Sequence, residues 1–411
     1  MSGGAPAPHE SPKIQAMQAA VSECGLDGWL LFDFHGTNPI ARSILGFGVL
    51  AEAPKTTRRW FYWIPATGEP RKLVHRLEPH ALDHLPGHTS VYLTWQELER
   101  MLAETIAGAV RPGAPRVALE YSPLARLPYV SRVDAGTMEL VRASGAEVLS
   151  SADLAQRFEG TLAPEARRDH RRTGALLHGI MGAAFQHARA RARAKKPITE
   201  TALQRWILER FAEADLHAAD PPAVAVNEHS GDAHFTNTAA LDRPIRKGDW
   251  LLLDAWAKAK RPGSIYADYT QVAYFGSAPP ESHRAAFQAV REARDAAIAC
   301  VRDSLRQGRR PRGCDVDDAA REVIRARGWG DRFIHRTGHS IGEEVHGNGV
   351  HLDNLETRDQ RILLDGTLVS VEPGVYFDAF GARTEVNLLV DGGEAVITPE
   401  PAQSEIFLLE P

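Results

Sequence analysis

Four segments in the second half of the chain are apolar enough to be buried strands, yet each carries an acid. Asp254 follows the run WLLL, Asp268 sits within IYADYTQVAYF, Glu372 ends LVSV and Glu385 precedes VNLLV. An ionised carboxylate loses its hydration when it enters a core, so buried acids are nearly always paired or bound to a cation. A single such acid could be a strand-end residue facing water. Four of them make one shared cation site the economical reading, against four separate exposed acids. Strand alternation adds detail. Asp268 and Thr270 are two residues apart and share a face, so the Thr270 hydroxyl is expected to orient the Asp268 carboxylate. Arg383 and Glu385 share a face in the same way.

The stretch FIHRTGHSIGEEVHGNG, Phe333 to Gly349, holds three histidines, two glutamates and four glycines. So many glycines argue against a helix. His335 and His339 are four apart, as in the helical two-histidine zinc motif. That motif places a glutamate after the first histidine; here Arg336 stands there, and Thr337-Gly338 lie between the pair. The stretch therefore reads as a loop that presents histidines, the plain alternative being a solvated surface loop. Four carboxylates with one or two imidazoles exceed the needs of a tetrahedral zinc. They suit two divalent ions about 3.5–4 Å apart, bridged by carboxylates and a water. The oxygen-rich set favours Mn²⁺, with Co²⁺, Zn²⁺ and Fe²⁺ open.

The 411 residues allow two or three domains, and 43% hydrophobic with 25% charged residues describes a folded soluble protein. A net charge of −5 gives no general attraction to nucleic acid or to an anionic membrane. In the basic run HARARARAKKP, Arg189 and Arg193 share a helix face and Arg191 does not, so it reads as a solvated helix. Cys24, Cys300 and Cys314 are odd in number and widely spaced. They form neither a disulfide framework nor a thiolate zinc site and suit a reducing compartment. The N-terminus MSGGAPAPHESP lacks an apolar core and reads as a disordered tail of about twelve residues, not a signal peptide. No run approaches the roughly 18 apolar residues of a membrane span. The expected location is the cytoplasm.

Strand-like runs (GWLLFDF, RWFYWIP, RKLVHRL, RVALEY) alternate with helical ones (KIQAMQAAVSECG, TWQELERMLAETIAG) up to about Leu154, which predicts an α/β domain with no catalytic constellation. Pro164-Glu165 is a good helix opening, and a helical pattern runs to about Ala194 before KKPIT breaks it and Thr199 starts another helix. The boundary falls near Gly160–Pro164, giving domains of residues 1–162 and 163–411. The second domain mixes long helices with strands separated by many turn residues, so antiparallel hairpins and an α+β class are expected.

LLLDAW…YADYT, GHSIGEEVHG, VSVEPGVY and ARTEVNLLV occur in that order. Together they resemble the metal-binding signature of the pita-bread metallopeptidases, the group of methionine aminopeptidase, aminopeptidase P and prolidase. The resemblance spans the second domain. FDFHGTNPIARSILGF extends it more loosely to the first, which is similar to the N-terminal domain of the creatinase/prolidase branch. The implied fold is a pita-bread catalytic domain preceded by a smaller α/β domain. The implied metal ligands are Asp254, Asp268, His339, Glu372 and Glu385. His234 and His346 take the places of the family's substrate-side histidines, and His335 that of a further one beside the metal loop. The chain departs from the family in four places. Asp254 and Asp268 are 14 apart, a few more than usual, with the extra residues expected in the turn-rich KAKRPGS as an exposed hairpin tip. The arginine after the second aspartate is replaced by Gln271-Val272, an acid after His346 by Gly347, and a tyrosine by Phe235.

The resemblance implies hydrolysis on the amino side of proline, because an added N-terminal domain separates the proline-specific members from the shorter methionine aminopeptidases. A bridging water would lose a proton because two cations lower its pKa. Glu372 would be both ligand and general base. A metal with His346 or His234 would stabilise the oxyanion. Tyr376 and Arg383 would position substrate or ligand, or else serve in ordinary strand packing and pairing. The reading is an Xaa-Pro dipeptidase acting on proline-containing dipeptides or short peptides. The alternatives are an Xaa-Pro aminopeptidase acting on longer peptides and a metal-free creatinase-like hydrolase; a non-catalytic binding protein of the same fold also stays open. Members of the last two kinds tend to lose the acidic ligands, which are all present here. The resemblance also implies a homodimer.

Overall fold

The computed structural model describes residues 11–49, 56–107 and 113–410. They separate into two compact units, Met1–Glu159 and Gly160–Pro411. The expected tail falls outside the described residues over positions 1–10, and a helix already opens at Pro12.

The first unit is a six-stranded sheet flanked by helices α1 (Pro12–Glu23), α2 (Pro39–Ile44), α3 (Trp95–Ala107), α4 (Ala135–Ala143) and α5 (Ala152–Glu159). Its strands are β1 (Gly28–Asp33), β2 (Trp60–Pro65), β3 (Arg71–His75), β4 (His88–Tyr92), β5 (Arg116–Leu119) and β6 (Glu147–Ser150), in the order β4-β3-β2-β1-β5-β6. Every residue of β1 and β2 is buried. Trp29, Leu31, Trp60 and Tyr62 enter one core, and Leu30, Phe32, Phe61 and Trp63 the core on the opposite face. That is why GWLLFD and WFYWIP read as continuous apolar runs: a strand covered on both faces has no polar side to show.

In the second unit α6 (Pro164–Arg193) starts with Pro164 in its first turn, and α7 (Glu200–Glu213) is capped by Thr199, whose hydroxyl accepts from the Ala202 N–H. The remaining helices are α8 (Glu281–Arg306) and α9 (Gly313–Ala326). Strands β7 (Leu216–His217) and β8 (Ala223–Val226) each pair with the long β9 (Trp250–Ala259), which pairs antiparallel with β10 (Ala267–Tyr274). Then follow β11 (Leu368–Val371), β12 (Gly374–Phe377), β13 (Phe380–Arg383), β14 (Val386–Asp391), β15 (Glu394–Thr398) and β16 (Phe407–Leu408). β11-β14-β15 and β12-β13 are antiparallel, and among these pairings only β10–β16 is parallel.

The sheets are covered by helices on their apolar sides. Leu251, Leu253, Ala255 and Tyr269 pack with Leu177, Phe185 and Ile207 of α6 and α7, while Val369, Val371, Ala382 and Leu388 pack with Val290, Ala293, Val316 and Ala320 of α8 and α9. The two strand groups meet at a seam. The Asn387 side chain accepts from the Asp268 N–H at 3.0 Å and donates to its carbonyl at 2.7 Å, and the Glu385 N–H donates to the Thr270 carbonyl at 3.0 Å. The acids therefore sit where two sheets stop pairing and open toward each other. No helix of the described residues is long and apolar enough to cross a membrane.

The β9–β10 connection differs from the expected free tip. Lys258 and Ala259 are still in β9, paired with His217 and Leu216. Only Lys260, Arg261, Pro262 and Gly263 are exposed, and Ser264, Ile265 and Tyr266 are buried. Arg261 is ion-paired with Asp169, whose second oxygen accepts from the Ile265 N–H at 3.1 Å. The turn residues are solvated as their composition dictates, but the charge among them gives the loop an anchor on α6. Deleting Arg261–Gly263 is expected to leave metal content unchanged, because no ligand lies in the loop, while lowering Tm through the lost ion pair. Metal analysis and thermal melts of the variant check both statements.

Candidate metal centre

Asp254 and Asp268 are presented by β9 and β10, with Thr270 directly opposite Asp254. His339 comes from the glycine-rich loop, Glu372 from the end of β11, and Glu385 from the link between β13 and β14. One glycine of the loop is required by contact: a Cβ on Gly338 would lie 1.9 Å from the Ser370 carbonyl oxygen. That close approach lets the His339 N–H donate to Ser370 Oγ at 2.8 Å, while the Ser370 N–H donates back to the His339 carbonyl at 2.9 Å.

Ligand atoms of Asp268, His339 and Glu385 all lie within 4.8 Å of one another, and each residue is at most 5% exposed. His339 Nε2 is 3.5 Å from Asp268 Oδ2 and 3.4 Å from Glu372 Oε1. Thr270 Oγ1 lies 2.9 Å from Asp254 Oδ1 and 2.8 Å from Glu385 Oε2. All five expected residues thus converge. Thr270 supports Asp254 and Glu385, not Asp268. The reason is that a residue directly across an antiparallel pair is nearer than one two positions along the same strand.

The electrostatics describe a site short of positive charge. Burial, and then the charges of Asp254 and Glu372, hold the Asp268 carboxyl well above its usual range. Burial, and then Asp268, Glu372 and Asp254, do the same to Glu385. Burial also acts upward on Glu372, but His339, His335 and Arg383 outweigh it and hold that carboxyl low. Asp268 Oδ1 and Glu385 Oε1 are buried without a hydrogen-bond partner among the described residues. Two orphaned carboxylate oxygens beside an imidazole, with four acids and one buried arginine close by, fit divalent cations.

Arg383 is fully buried in this network. Its Nη2 donates to Asp254 Oδ2 at 2.5 Å, its Nε to Thr270 Oγ1 at 3.0 Å, and its Nη1 to the Tyr376 hydroxyl and the Ala233 carbonyl, both at 3.1 Å. The Tyr376 hydroxyl is also 2.7 Å from His335 Nε2, and His335 Nδ1 is 2.7 Å from the Arg336 carbonyl. A carbonyl only accepts, so His335 carries its proton on Nδ1 and accepts from Tyr376 through Nε2. Burial pushes the His335 pKa down to about 4, which keeps the ring neutral, and pushes Tyr376 up to about 12. His335, Tyr376 and Arg383, expected to position substrate or ligand, are joined to one another by hydrogen bonds. The three form a relay behind Asp254, with their polar atoms already engaged.

His346 and His234 are exposed. The His346 ring meets that of His339 edge-on, with centroids 4.4 Å apart. Departure from bulk water lowers its pKa, as does the neighbouring His339, although part of the residue still faces solvent. His234 follows the 3-10 turn Asn227–Gly231 and acts electrostatically on His346. Other supports lay outside the reading of the sequence. Asp317 of α9 accepts from the Thr337 N–H at 2.9 Å and from its hydroxyl at 2.6 Å, so a distant helix fixes the loop just before His339. No local pattern marks that contact.

The fold of the second unit is the pita-bread fold, and its centre is a carboxylate–imidazole cluster suited to metal. The chain belongs to metallopeptidase family M24, which it matches over residues 175–392, more than half its length. It is 29% identical to the Xaa-Pro dipeptidase of Pyrococcus furiosus over 177 residues, 43% of this chain and 47% of that one. The chain spans about half the length of the curated relatives it matches. Among solved structures it resembles dipeptidase PepE from Mycobacterium ulcerans (TM-score 0.69, 22% identity, 97% of each chain). It also resembles the X-Pro aminopeptidase from Thermotoga maritima (TM-score 0.58, 19% identity, 93% of this chain and 98% of that one). At these identities the structural likeness concerns the fold.

Proposed function

We propose that the protein is a two-metal Xaa-Pro dipeptidase that hydrolyses the peptide bond on the amino side of proline, working as a cytoplasmic homodimer. The observation that carries the proposal is the buried cluster of Asp268, His339 and Glu385, with half-buried Asp254 and Glu372 beside it and an orphaned oxygen on Asp268 and on Glu385. These five residues would hold the metals, with Mn²⁺ favoured by the oxygen-rich set. When bound, the cations acidify a shared water and polarise the scissile carbonyl. Glu372 takes the proton released by the nucleophile and later returns it to the departing nitrogen of proline. His346 donates a ring N–H to the oxygen on which negative charge develops, with His234 beside it at the open side. The His335–Tyr376–Arg383 relay and Thr270 hold Asp254 in place. A metal-free hydrolase is disfavoured because all five ligand positions are filled and brought together.

The fold is shared with dipeptidases and with an X-Pro aminopeptidase, so longer peptides are the second reading. The test compares Ala-Pro with Ala-Pro-Ala after chelation and addition of Mn²⁺, with metal counted per chain. Cleavage of Ala-Pro that is lost on chelation and restored by Mn²⁺ is expected. Cleavage of the tripeptide alone would make the protein an aminopeptidase, and full activity without metal would remove the mechanism.

A further inference from the structure

Trp256 stands on the metal face of the sheet. It follows Asp254 by two residues on β9 and lies directly opposite Asp268 in the β9–β10 pairing, so its side chain projects beside both carboxylates. Its neighbours Ala255 and Ala257 are fully buried on the opposite face, whereas Trp256 keeps part of its surface open. The indole nitrogen is not the open part, because Nε1 is buried and has no polar partner among the described residues. The open part of the ring is therefore carbon. It also packs against the apolar cluster that includes Ile341 and Val345, which lie between His339 and His346.

We infer that Trp256 determines which residue is accepted ahead of the cleaved bond; the inference rests on the Xaa-Pro hydrolysis proposed above. In that reading His346 and His234, both exposed, mark the open side, where the attacked carbonyl and the departing proline lie. Trp256, on the metal face beside Asp254 and Asp268 and backed by the apolar cluster, is assigned the side of the residue ahead of the bond. A substrate with a single residue before the bond has only that residue to place there. The indole occupies volume that a long side chain would need, so glycine or alanine before proline is accepted better than leucine or phenylalanine. Because the open part of the indole is carbon, its discrimination is by size and not by charge.

The experiment measures kcat/KM on Ala-Pro and Leu-Pro for the Mn²⁺-loaded full-length protein, Trp256→Gly and Trp256→Leu, with metal content of each. The Leu-Pro to Ala-Pro ratio is expected to rise at least about tenfold in Trp256→Gly, the scale set by one or two methylenes in an apolar pocket. It is expected to rise in Trp256→Leu by a smaller factor, roughly threefold or more. Trp256→Leu keeps an apolar side chain against the cluster that contains Ile341, so it decides the matter if the glycine variant fails to fold. A role in packing alone would lower both rates together and leave the ratio where it was. A ratio that is unchanged or falls in a folded, metal-replete variant overturns the assignment of Trp256 while the peptidase reading stands. A wild-type protein that cleaves neither dipeptide overturns both.

Discussion

Replacing Glu372 by glutamine is expected to lower turnover by roughly 10²–10⁴-fold, the range associated with loss of a general acid–base group. The substitution keeps size and one acceptor oxygen. Ser370 Oγ, 3.1 Å from Glu372 Oε1, can still donate to that oxygen. What disappears is the negative charge and the ability to accept a proton. His339 and Arg383 help hold this carboxyl low against the effect of burial, so the wild-type group is ready to accept. Metal binding should weaken as well, because one of four acids facing the cations becomes neutral. Titrating Mn²⁺ separates the two losses. Activity that remains at least a hundredfold down at saturating metal reports the missing base. Recovery to near wild-type turnover at high Mn²⁺ would reduce Glu372 to a ligand and move the proton acceptor elsewhere.

The acids could be read in the sequence because each breaks a rule at a place where the rule is strong. A carboxylate inside WLLLDAW or VNLLV has no cheap explanation on a buried strand. Register was not legible. Which residue faces Asp254 depends on where β9 and β10 meet, and that is fixed by a hairpin whose turn residues give no unique offset. Alternation alone therefore points Thr270 to Asp268, its neighbour along the strand, whereas the register brings it to Asp254 and Glu385. Trp256, two residues after Asp254, shares its strand face by alternation, but its place opposite Asp268 depends on the same register. The relay through Arg383, Tyr376 and His335 spans three separate segments and rests on burial, which a sequence reports only on average. In the first unit β4 and β6 carry no strand signal, because HTSVY and EVLS are short, have little full burial and lack the apolar run that marks β1 and β2.

Replacing His346 by alanine should reduce turnover by roughly 10²–10³-fold while leaving both metals in place, the scale for one donor to a developing oxyanion. The geometry separates His346 from the ligands. Its ring lies edge-on to His339, but it is exposed, whereas the clustered ligand atoms come from Asp268, His339 and Glu385. A lowered pKa keeps the ring neutral near pH 7, and a neutral imidazole still has one N–H to give. Its contribution should grow as the carbonyl oxygen gains charge, so the loss should fall on kcat and kcat/KM alike, with KM little changed. His346→Gln supplies an amide N–H in a similar place and should recover part of the loss. An exposed loop histidine with no part in the reaction predicts wild-type kinetics for both variants. A structural histidine predicts that alanine empties the metal centre and that glutamine does not help. Kinetics and metal content measured together distinguish the three, and wild-type turnover in His346→Ala would pass the role to His234, the other exposed substrate-side histidine.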